Sequence, residues 1–322
     1  MENQIIIDQI LILAILVGVG VLAVNARIIT DSVRNGIADL VFDITLPLLI
    51  ITTFARIDLT PAILRNSGLV FLFAYLALTV MFAAGLLTAR VTGQKGNQRA
   101  VLVNHHMFGN IVFLGFPLMN ALFPGGEGLL YAAVYQLASN SVMWTLGVWI
   151  FLKGNGSTGK DVLKNLVNSN TIAFFVGIVL MVVRIKIPDL LFDTLHGLGN
   201  TTNYLSMIYI GAILATTRLK GTVRKLHVFV TSFNKLLLVP AVIGILVYVL
   251  STWLAPSFGD IARKVVILEA SMPCMATIVV MARKFASDET LATENVFVST
   301  IAALFTLPLM YGGLFLLDRW FL

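Results

Sequence analysis

The sequence has little charge and almost no cysteine. Of its 322 residues, 12% are charged and 58% are hydrophobic, whereas an average soluble domain is about 25% charged and about 45–50% apolar. A chain with so few charged side chains cannot cover its surface with polar groups, so much of that surface must face lipid. The single cysteine, Cys274, excludes an intramolecular disulfide.

The sequence also lacks the motifs of nucleotide, zinc and serine chemistry. Residues 154–161 approach a P-loop, but Asp161 stands where the Mg²⁺-binding Ser or Thr is required, and an apolar run rather than a strand precedes them. There is no zinc-protease helix motif, no G-x-S-x-G motif and no cysteine cluster. We therefore predict no cofactor, no catalytic residue and no enzymatic activity.

The net charge of +6 does not indicate a nucleic-acid partner. Its lysines and arginines lie in short loops between apolar runs instead of forming one basic patch. Loops of this kind are typical of a membrane protein. We therefore expect a lipid environment and no binding of nucleic acid.

What the sequence does contain is a series of apolar runs, each long enough to approach the roughly 20 residues that a membrane span requires. The first run is too long for the apolar core of a signal peptide and follows Glu2 instead of lysines, so it is interpreted as the first span. We predict ten transmembrane helices, at roughly residues 5–25, 38–55, 68–89, 100–123, 128–152, 170–187, 203–217, 232–255, 264–283 and 295–317.

The predicted spans divide into two sets of five. Residues 1–152 would form a first five-helix repeat, 153–169 a cytoplasmic loop, and 170–322 a second repeat. An odd number of spans in each half turns one half upside down relative to the other. The loops after odd-numbered spans hold more lysine and arginine than the others, which places them in the cytoplasm and both termini outside.

The fourth and ninth predicted spans both contain a helix breaker near the middle. In the repeat register, Gly109 falls on Pro273 and Asn110 falls on Cys274. Interrupted helices at corresponding positions of two halves are a good pointer to a transporter's binding site. The helix that restarts after each break offers free N–H groups and a positive dipole end, which suit a carboxylate.

We therefore predict a substrate site at these breaks. Its members would be Gly109, Asn110, Pro273, Cys274 and Asn140. The alternatives are a structural kink at Pro273 and a helix-packing hydrogen bond at Asn110. Cys274 is expected to line the site through its backbone. At the other prolines within spans, a kink is the favoured interpretation: Pro47, Pro117, Pro240 and Pro308.

Glu269 lies four residues before Pro273, about one helical turn before the break. A carboxyl at membrane depth is a functional-site hypothesis, because it could bind Na⁺ or carry a proton. Asn104 and Ser139, together with Asn140, could supply neutral oxygens to a cation. The alternative is a carboxyl tied to the backbone or to a buried asparagine.

His105 and His106 form an adjacent pair at membrane depth. Either could titrate near physiological pH and take part in coupling, or serve as a hydrogen-bonded packing residue. As neighbours on a helix they point in different directions. We expect no lysine or arginine deep in a span, Lys235 being assigned to a span margin. The positive charge that an anion needs would then come from helix N-termini, a bound cation or a proton.

Four separated motifs resemble the auxin efflux carrier family. They are Leu-Pro-Leu-Leu at 46–49, Gly-Asn-Ile-Val-Phe-Leu-Gly-Phe-Pro-Leu at 109–118, Ala-Ser-Met-Pro-Cys-Met-Ala-Thr at 270–277, and Thr-Leu-Pro-Leu at 306–309. Two features depart from the plant carriers. The loop between the fifth and sixth spans is short, as in compact bacterial members, and Gly109 replaces a plant-type proline.

The resemblance implies an all-α membrane protein with an inverted five-plus-five repeat and broken crossover helices 4 and 9. It implies a scaffold (about 5–55 and 170–217) and a mobile, elevator-like transport domain (about 68–152 and 232–317). Bacterial members are described as malate or malonate permeases, and plant members export auxin. We therefore expect a carrier of a small organic anion, with Na⁺ and H⁺ as the candidate coupling ions. By the same resemblance it would be a homodimer in a bacterial plasma membrane.

Two other classes of protein, an intramembrane enzyme and an anion channel, are the alternatives to a carrier. An intramembrane enzyme would need a nucleophile with a base, or metal ligands at helical spacing, and the histidine pair with Glu269 shows no recognisable arrangement. An anion channel would show a polar stripe lining a pore or a repeated filter, which the sequence does not show. Both are less consistent with the residues than a carrier.

Overall fold

The computed structural model describes residues 2–152, 169–185, 187–216 and 225–321. Within these ranges the chain is helical, and no strand is found beyond an isolated β-type pair of residues. The P-loop-like stretch, most of the predicted cytoplasmic loop and several basic residues used for the predicted orientation lie outside the described residues.

The helices account for the predicted all-α class. In chain order they are α1 (Glu2–Asn25), α2 (Asp31–Ala55), α3 (Pro61–Val91), α4 (Gly96–Met107), α5 (Ile111–Leu122), α6 (127–152), α7 (Ser169–Val183), α8 (Asp189–Thr216), α9 (Leu226–Leu254), α10 (Asp260–Ala270), α11 (Thr277–Lys284) and α12 (Glu289–Phe321). Among the described residues, α2, α3, α9 and α12 are each long and apolar enough to cross a membrane. Shorter apolar helices cover Ala14–Asn25, Ile111–Leu122 and Ile172–Val183.

Several helices are longer than the apolar runs that predicted them. The clearest case is α8, which extends well to the N-terminal side of the run at 203–217. Its first half carries polar side chains, but Gly199 packs directly on the backbone of Leu49 in α2. Hydropathy detects the part of a helix that suits lipid and misses a polar part that a neighbouring helix holds in place.

Three helices contain a π turn that ends two residues before a proline. The π turns cover Val41–Thr45 in α2, Ile111–Gly115 in α5 and Asn234–Leu238 in α9. The prolines that follow are Pro47, Pro117 and Pro240. A proline ring lacks an amide hydrogen and clashes with the carbonyl four residues earlier, and the wider π turn relieves both problems. The fourth predicted kink site, Pro308, lies inside the continuous helix α12.

The described chain clusters into two compact units. Unit 1 comprises residues 2–67, 112–134 and 169–216, and unit 2 comprises 68–111, 135–152 and 225–321. Unit 1 therefore holds α1, α2, α7 and α8, with most of α5. Unit 2 holds most of α3 and α6 with α4 and α9–α12.

Glycines allow the helices of unit 1 to pack at close range. A Cβ atom at Gly20 of α1 would overlap the carbonyl oxygen of Ile208 in α8, and one at Gly211 of α8 would overlap the carbonyl oxygen of Val17 in α1. Small residues at such contacts are the usual way for membrane helices to gain van der Waals contact, because lipid offers no hydrophobic drive between them.

Charged side chains tie three helices of unit 2 together at the N-terminal end of α10. The Lys264 ammonium lies 2.7 Å from an oxygen of Asp260 and 3.0 Å from one of Asp318 in α12. The hydroxyl of Tyr248 in α9 donates to the same Asp318 carboxylate. The network fixes the start of α10 against α9 and α12.

Replacing Gly211 with alanine should lower the thermal stability of the purified protein. The added methyl group has no room beside the Val17 carbonyl, and overpacking of this kind costs about 1–3 kcal/mol. Gly197→Ala is the matched control, since Gly197 lies in the same helix, α8, and nothing lies within 4 Å of a Cβ at that position. Thermal unfolding in detergent measures both variants, and equal melting temperatures would contradict the close packing of α1 on α8.

Candidate functional site

Two helices of unit 2 are interrupted where the sequence predicted breaks. α4 ends at Met107, and residues 108–110 are extended before the chain enters α5. α10 ends at Ala270, and residues 271–276 precede α11. We call residues 108–110 and 271–276 together the crossover.

The two breaks are joined through their backbones. The amide of Asn110 donates to the carbonyl of Pro273 at 2.8 Å, and the amide of Met275 donates to the carbonyl of Phe108 at 3.2 Å. These bonds place Gly109 opposite Cys274 as an antiparallel pair. Buried peptide groups need partners, above all where water is absent. Each break therefore satisfies backbone groups that the other one frees.

Side chains from neighbouring helices fix the Cys274 side of the crossover. The amide of Cys274 donates to the hydroxyl of Ser299 in α12 at 3.0 Å. Its thiol lies 3.9 Å from the carbonyl oxygen of His105, in the last turn of α4. Cys274 is fully buried, so its contacts here are structural.

Gly109 is required by the close approach of the two backbones. A Cβ atom at this position would lie 2.8 Å from the Cβ of Met272 and 3.2 Å from the Met272 carbonyl oxygen. The same Cβ would lie 3.5 Å from the carbonyl oxygen of Glu269. Any larger residue would have to push the second break away from the first.

The carboxyl group of Glu269 is buried without a hydrogen bond. Its residue is 1% exposed, and neither carboxyl oxygen has a partner among the described residues. The hydroxyl of Tyr135, from α6, is likewise buried without a partner and lies within electrostatic range of this carboxyl. Buried polar atoms without a hydrogen-bond partner are rare in proteins and are often found at functional sites.

Lys235 is a buried cation that the sequence interpretation missed. It lies in the π turn of α9 and is 1% exposed. Its ammonium donates to the carbonyl of His106 at 3.0 Å and contacts the sulfur of Met81 at 3.3 Å. The expectation that no lysine lies deep in a span is therefore wrong. The predicted span began at residue 232, which put Lys235 at its margin, whereas the helix begins at Leu226.

The histidine pair points to two different helices. His106 Nδ1 lies 2.8 Å from the carbonyl oxygen of Leu102, and its Nε2 lies 3.1 Å from the hydroxyl of Thr88 in α3. Both ring nitrogens of His106 are thus engaged, as in a packing residue. His105 Nδ1 instead meets the side-chain amide of Asn295 in α12 at 3.2 Å, and its Nε2 is buried without a partner.

The remaining predicted residues differ in their surroundings. Asn104 is fully buried in α4, donates to the carbonyl of Ala100 at 2.9 Å, and keeps a buried side-chain oxygen without a partner. Ser139 is buried in α6. Asn140 accepts a hydrogen bond from Gln136, one turn earlier on its own helix, at 2.9 Å. The structure thus brings together Gly109, Asn110, Pro273 and Cys274, whereas the described contact of Asn140 lies within α6.

A cavity of about 600 Å³ lies at the end of α3 and in the turn that follows. Three cationic side chains line it, from Arg90, Lys95 and Arg99. These residues belong to the loop that the sequence predicts to face the cytoplasm. None of its lining residues belongs to the crossover, so the cavity is distinct from it.

The apolar helices enclose buried polar groups, and two interrupted helices pair at their breaks. These features define a multi-pass membrane protein of the transporter class. Residues 5–311 match the model of the membrane transport protein family. The chain belongs to this family, the auxin efflux carrier family, and the resemblance seen in its motifs is confirmed. Its members are membrane transporters, not enzymes.

A named relative comes from Methanothermobacter thermautotrophicus. It is described as an uncharacterized transporter and is 26% identical to this chain over 304 residues. The match covers 94% of this chain and 96% of that protein. The two sequences are thus similar over nearly their whole lengths.

Replacing Gly109 with alanine should destabilise unit 2, because the new methyl group would press on Met272 and separate the paired breaks. Gly312→Ala in α12 is the control. Nothing lies within 4 Å of a Cβ at Gly312, so that change should be neutral or stabilise the helix by about 0.5–1 kcal/mol. Thermal unfolding of the purified variants distinguishes them. A Gly109→Ala protein as stable as wild type would show that the breaks do not meet as described.

Proposed function

We propose that the protein is a carrier, secondary active or facilitative, for a small organic anion. The substrate would be a carboxylate such as malate or malonate, or an auxin-like monocarboxylate, bound at the crossover. The observation that carries the proposal is the pairing of two broken helices beside buried, unpartnered polar groups. α5 and α11 begin directly after the breaks, so the positive ends of their dipoles lie near a bound carboxylate.

We assign the mobile role to unit 2 and the scaffold role to unit 1, in an alternating-access cycle. The assignment is supported by the location of every crossover residue in unit 2. It differs at one place from the division predicted from the sequence. Residues 112–134, which that prediction placed in the transport domain, cluster with unit 1.

The proposed topology has ten spans, an inverted repeat and both termini outside. Contacts in unit 2 support it, because they join loops expected on the same side. Asn97, after the third span, donates to the carbonyl of Ala286, after the ninth, at 3.0 Å. Lys225, after the seventh, pairs with Glu294 at 2.8 Å. The Asp260 network described above lies at the other predicted side.

Coupling, oligomeric state and location complete the proposal. Glu269 would accept either Na⁺ or a proton, since its carboxyl is buried without a hydrogen-bond partner. The protein would act as a homodimer in the plasma membrane, by analogy with the family. An anion channel is the alternative mechanism, and it differs from a carrier in showing neither saturation nor counterflow.

The first prediction is saturable uptake of one organic anion into proteoliposomes, tested with radiolabelled malate, malonate and indole-acetate. Asn110→Ala should reduce uptake about tenfold or more, since a hydrogen bond to a charged group contributes about 1.5–3 kcal/mol. Asn25→Ala, at an exposed position in α1, is the control and should transport normally. Uptake that neither saturates nor supports counterflow would indicate a channel. Equal rates in Asn110→Ala and wild type would move the substrate away from the crossover.

The second prediction uses Cys274 as a native reporter, because it is the single cysteine of the chain and lies at the crossover. Because Cys274 is fully buried, a small maleimide can reach its thiol only when the proposed transport movement opens the crossover. A saturating transported anion should slow that reaction, while an anion that is not transported should leave the rate unchanged. Cys274→Ser shows the background. Equal labelling with and without a saturating transported anion would contradict a crossover site.

A further inference from the structure

An amino group and a carboxyl group are buried beside the crossover, one next to each break. Lys235 binds the carbonyl of His106, in the last turn before the first break, at 3.0 Å. Glu269 lies in the last turn of α10, before the second break. The two groups lie within electrostatic range of each other, and each residue is only 1% exposed.

The other polar groups around this pair are neutral or fully engaged. α3 contributes Thr88, which pairs with His106, and Met81, which contacts Lys235. α12 contributes Asn295 and Ser299.

The remaining titratable groups near the pair are His105, His106, Cys274 and Tyr135. His106 has both ring nitrogens occupied, and the Nδ1 atom of His105 meets the amide of Asn295. The Cys274 thiol lies 3.9 Å from the carbonyl oxygen of His105, and the Tyr135 hydroxyl lies within electrostatic range of Glu269. With these four groups neutral, Lys235 and Glu269 set the net charge of this interior.

Burying one charge alone is strongly unfavourable, whereas a compensated pair is tolerated. With Lys235 charged and Glu269 ionised, the interior is neutral. A bound proton alone makes it +1, and a bound monoanion alone makes it −1. With the proton on Glu269 and the monoanion beside Lys235, it is neutral again.

Resting on the proposed function, we propose that Lys235 is the built-in counter-cation of the carrier. Together with Glu269, it allows the loaded site to move across the membrane only when one proton and one carboxylate charge are bound at the same time. The proton binds a carboxylate oxygen of Glu269 from one side of the membrane and leaves to the other, and no other bond changes. Transport is therefore electroneutral for a monoanion, including the half-ionised form of a dicarboxylic acid. Transport needs no Na⁺, because the Lys235 ammonium already supplies the positive charge near Glu269.

The charge pair is tested without transport by thermal unfolding of Lys235→Met, Glu269→Gln and the double variant. Each single change leaves one buried charge uncompensated and should lower the melting temperature by several degrees. The double variant should be at least as stable as the less stable single variant. Arg90→Met combined with Glu269→Gln is the control and should give additive shifts, since Arg90 is exposed at the end of α3. Additive losses for Lys235 and Glu269 would overturn the pair.

The coupling rule is tested in Na⁺-free proteoliposomes with the anion that shows counterflow in wild type. Acid outside should drive at least a fivefold accumulation, while added Na⁺ or a K⁺/valinomycin potential should change it less than twofold. Lys235→Met should lose uptake at every pH, and Lys235→Arg should recover part of it. Exchange that remains in Glu269→Gln should no longer respond to the pH gradient.

Each contrary outcome has a distinct meaning. Uptake that requires Na⁺, that follows the potential, or that persists at the wild-type rate in Lys235→Met overturns the coupling rule while leaving the carrier function in place. Absence of uptake of every anion by folded wild-type protein overturns the proposed function and the coupling rule together. The unfolding experiment then still decides whether Lys235 and Glu269 compensate each other.

Discussion

In hydrocarbon, a peptide N–H or C=O group without a partner costs several kcal/mol, because no water replaces the missing hydrogen bond. A broken membrane helix therefore needs hydrogen-bond partners from another segment for the N–H and C=O groups at its break. Here each break supplies partners for the other, through the antiparallel pairing of Gly109 with Cys274. Other features of the site follow from this pairing. Position 109 must be a glycine because the backbones meet, and Ser299 is needed to accept from the amide of Cys274.

Charge is the second constraint on this interior. A site for an anion inside a membrane needs positive charge, and a permanent cation there needs compensation when the anion is absent. In the proposed carrier, Lys235 and Glu269 together would meet both requirements. The same pair explains why a carboxyl and an ammonium are found where most side chains are apolar.

Sequence alone predicted the helical membrane fold and the positions of both breaks, because apolar runs, Gly109 and Pro273 are local signals. It did not predict that the breaks pair by hydrogen bonds, since that contact joins residues far apart in the chain. It also missed the polar first half of α8, which a neighbouring helix stabilises. Lys235 was missed because its charge was read as the edge of a span. A hydropathy window covering the whole of α9 would have placed Lys235 within the span.

The π turns before Pro47, Pro117 and Pro240 have a consequence for how this chain is compared with its relatives. A π turn holds one residue more than an α turn, so the helix beyond it is rotated by about 100° relative to the part before it. The apolar faces of the two parts of such a helix are therefore out of phase, and the hydrophobic periodicity calculated across the whole helix is weaker than that of either part. A relative lacking the proline could delete one residue there and restore a regular helix. Single-residue gaps at these three places would then record a change in helix geometry, not a change in loop length.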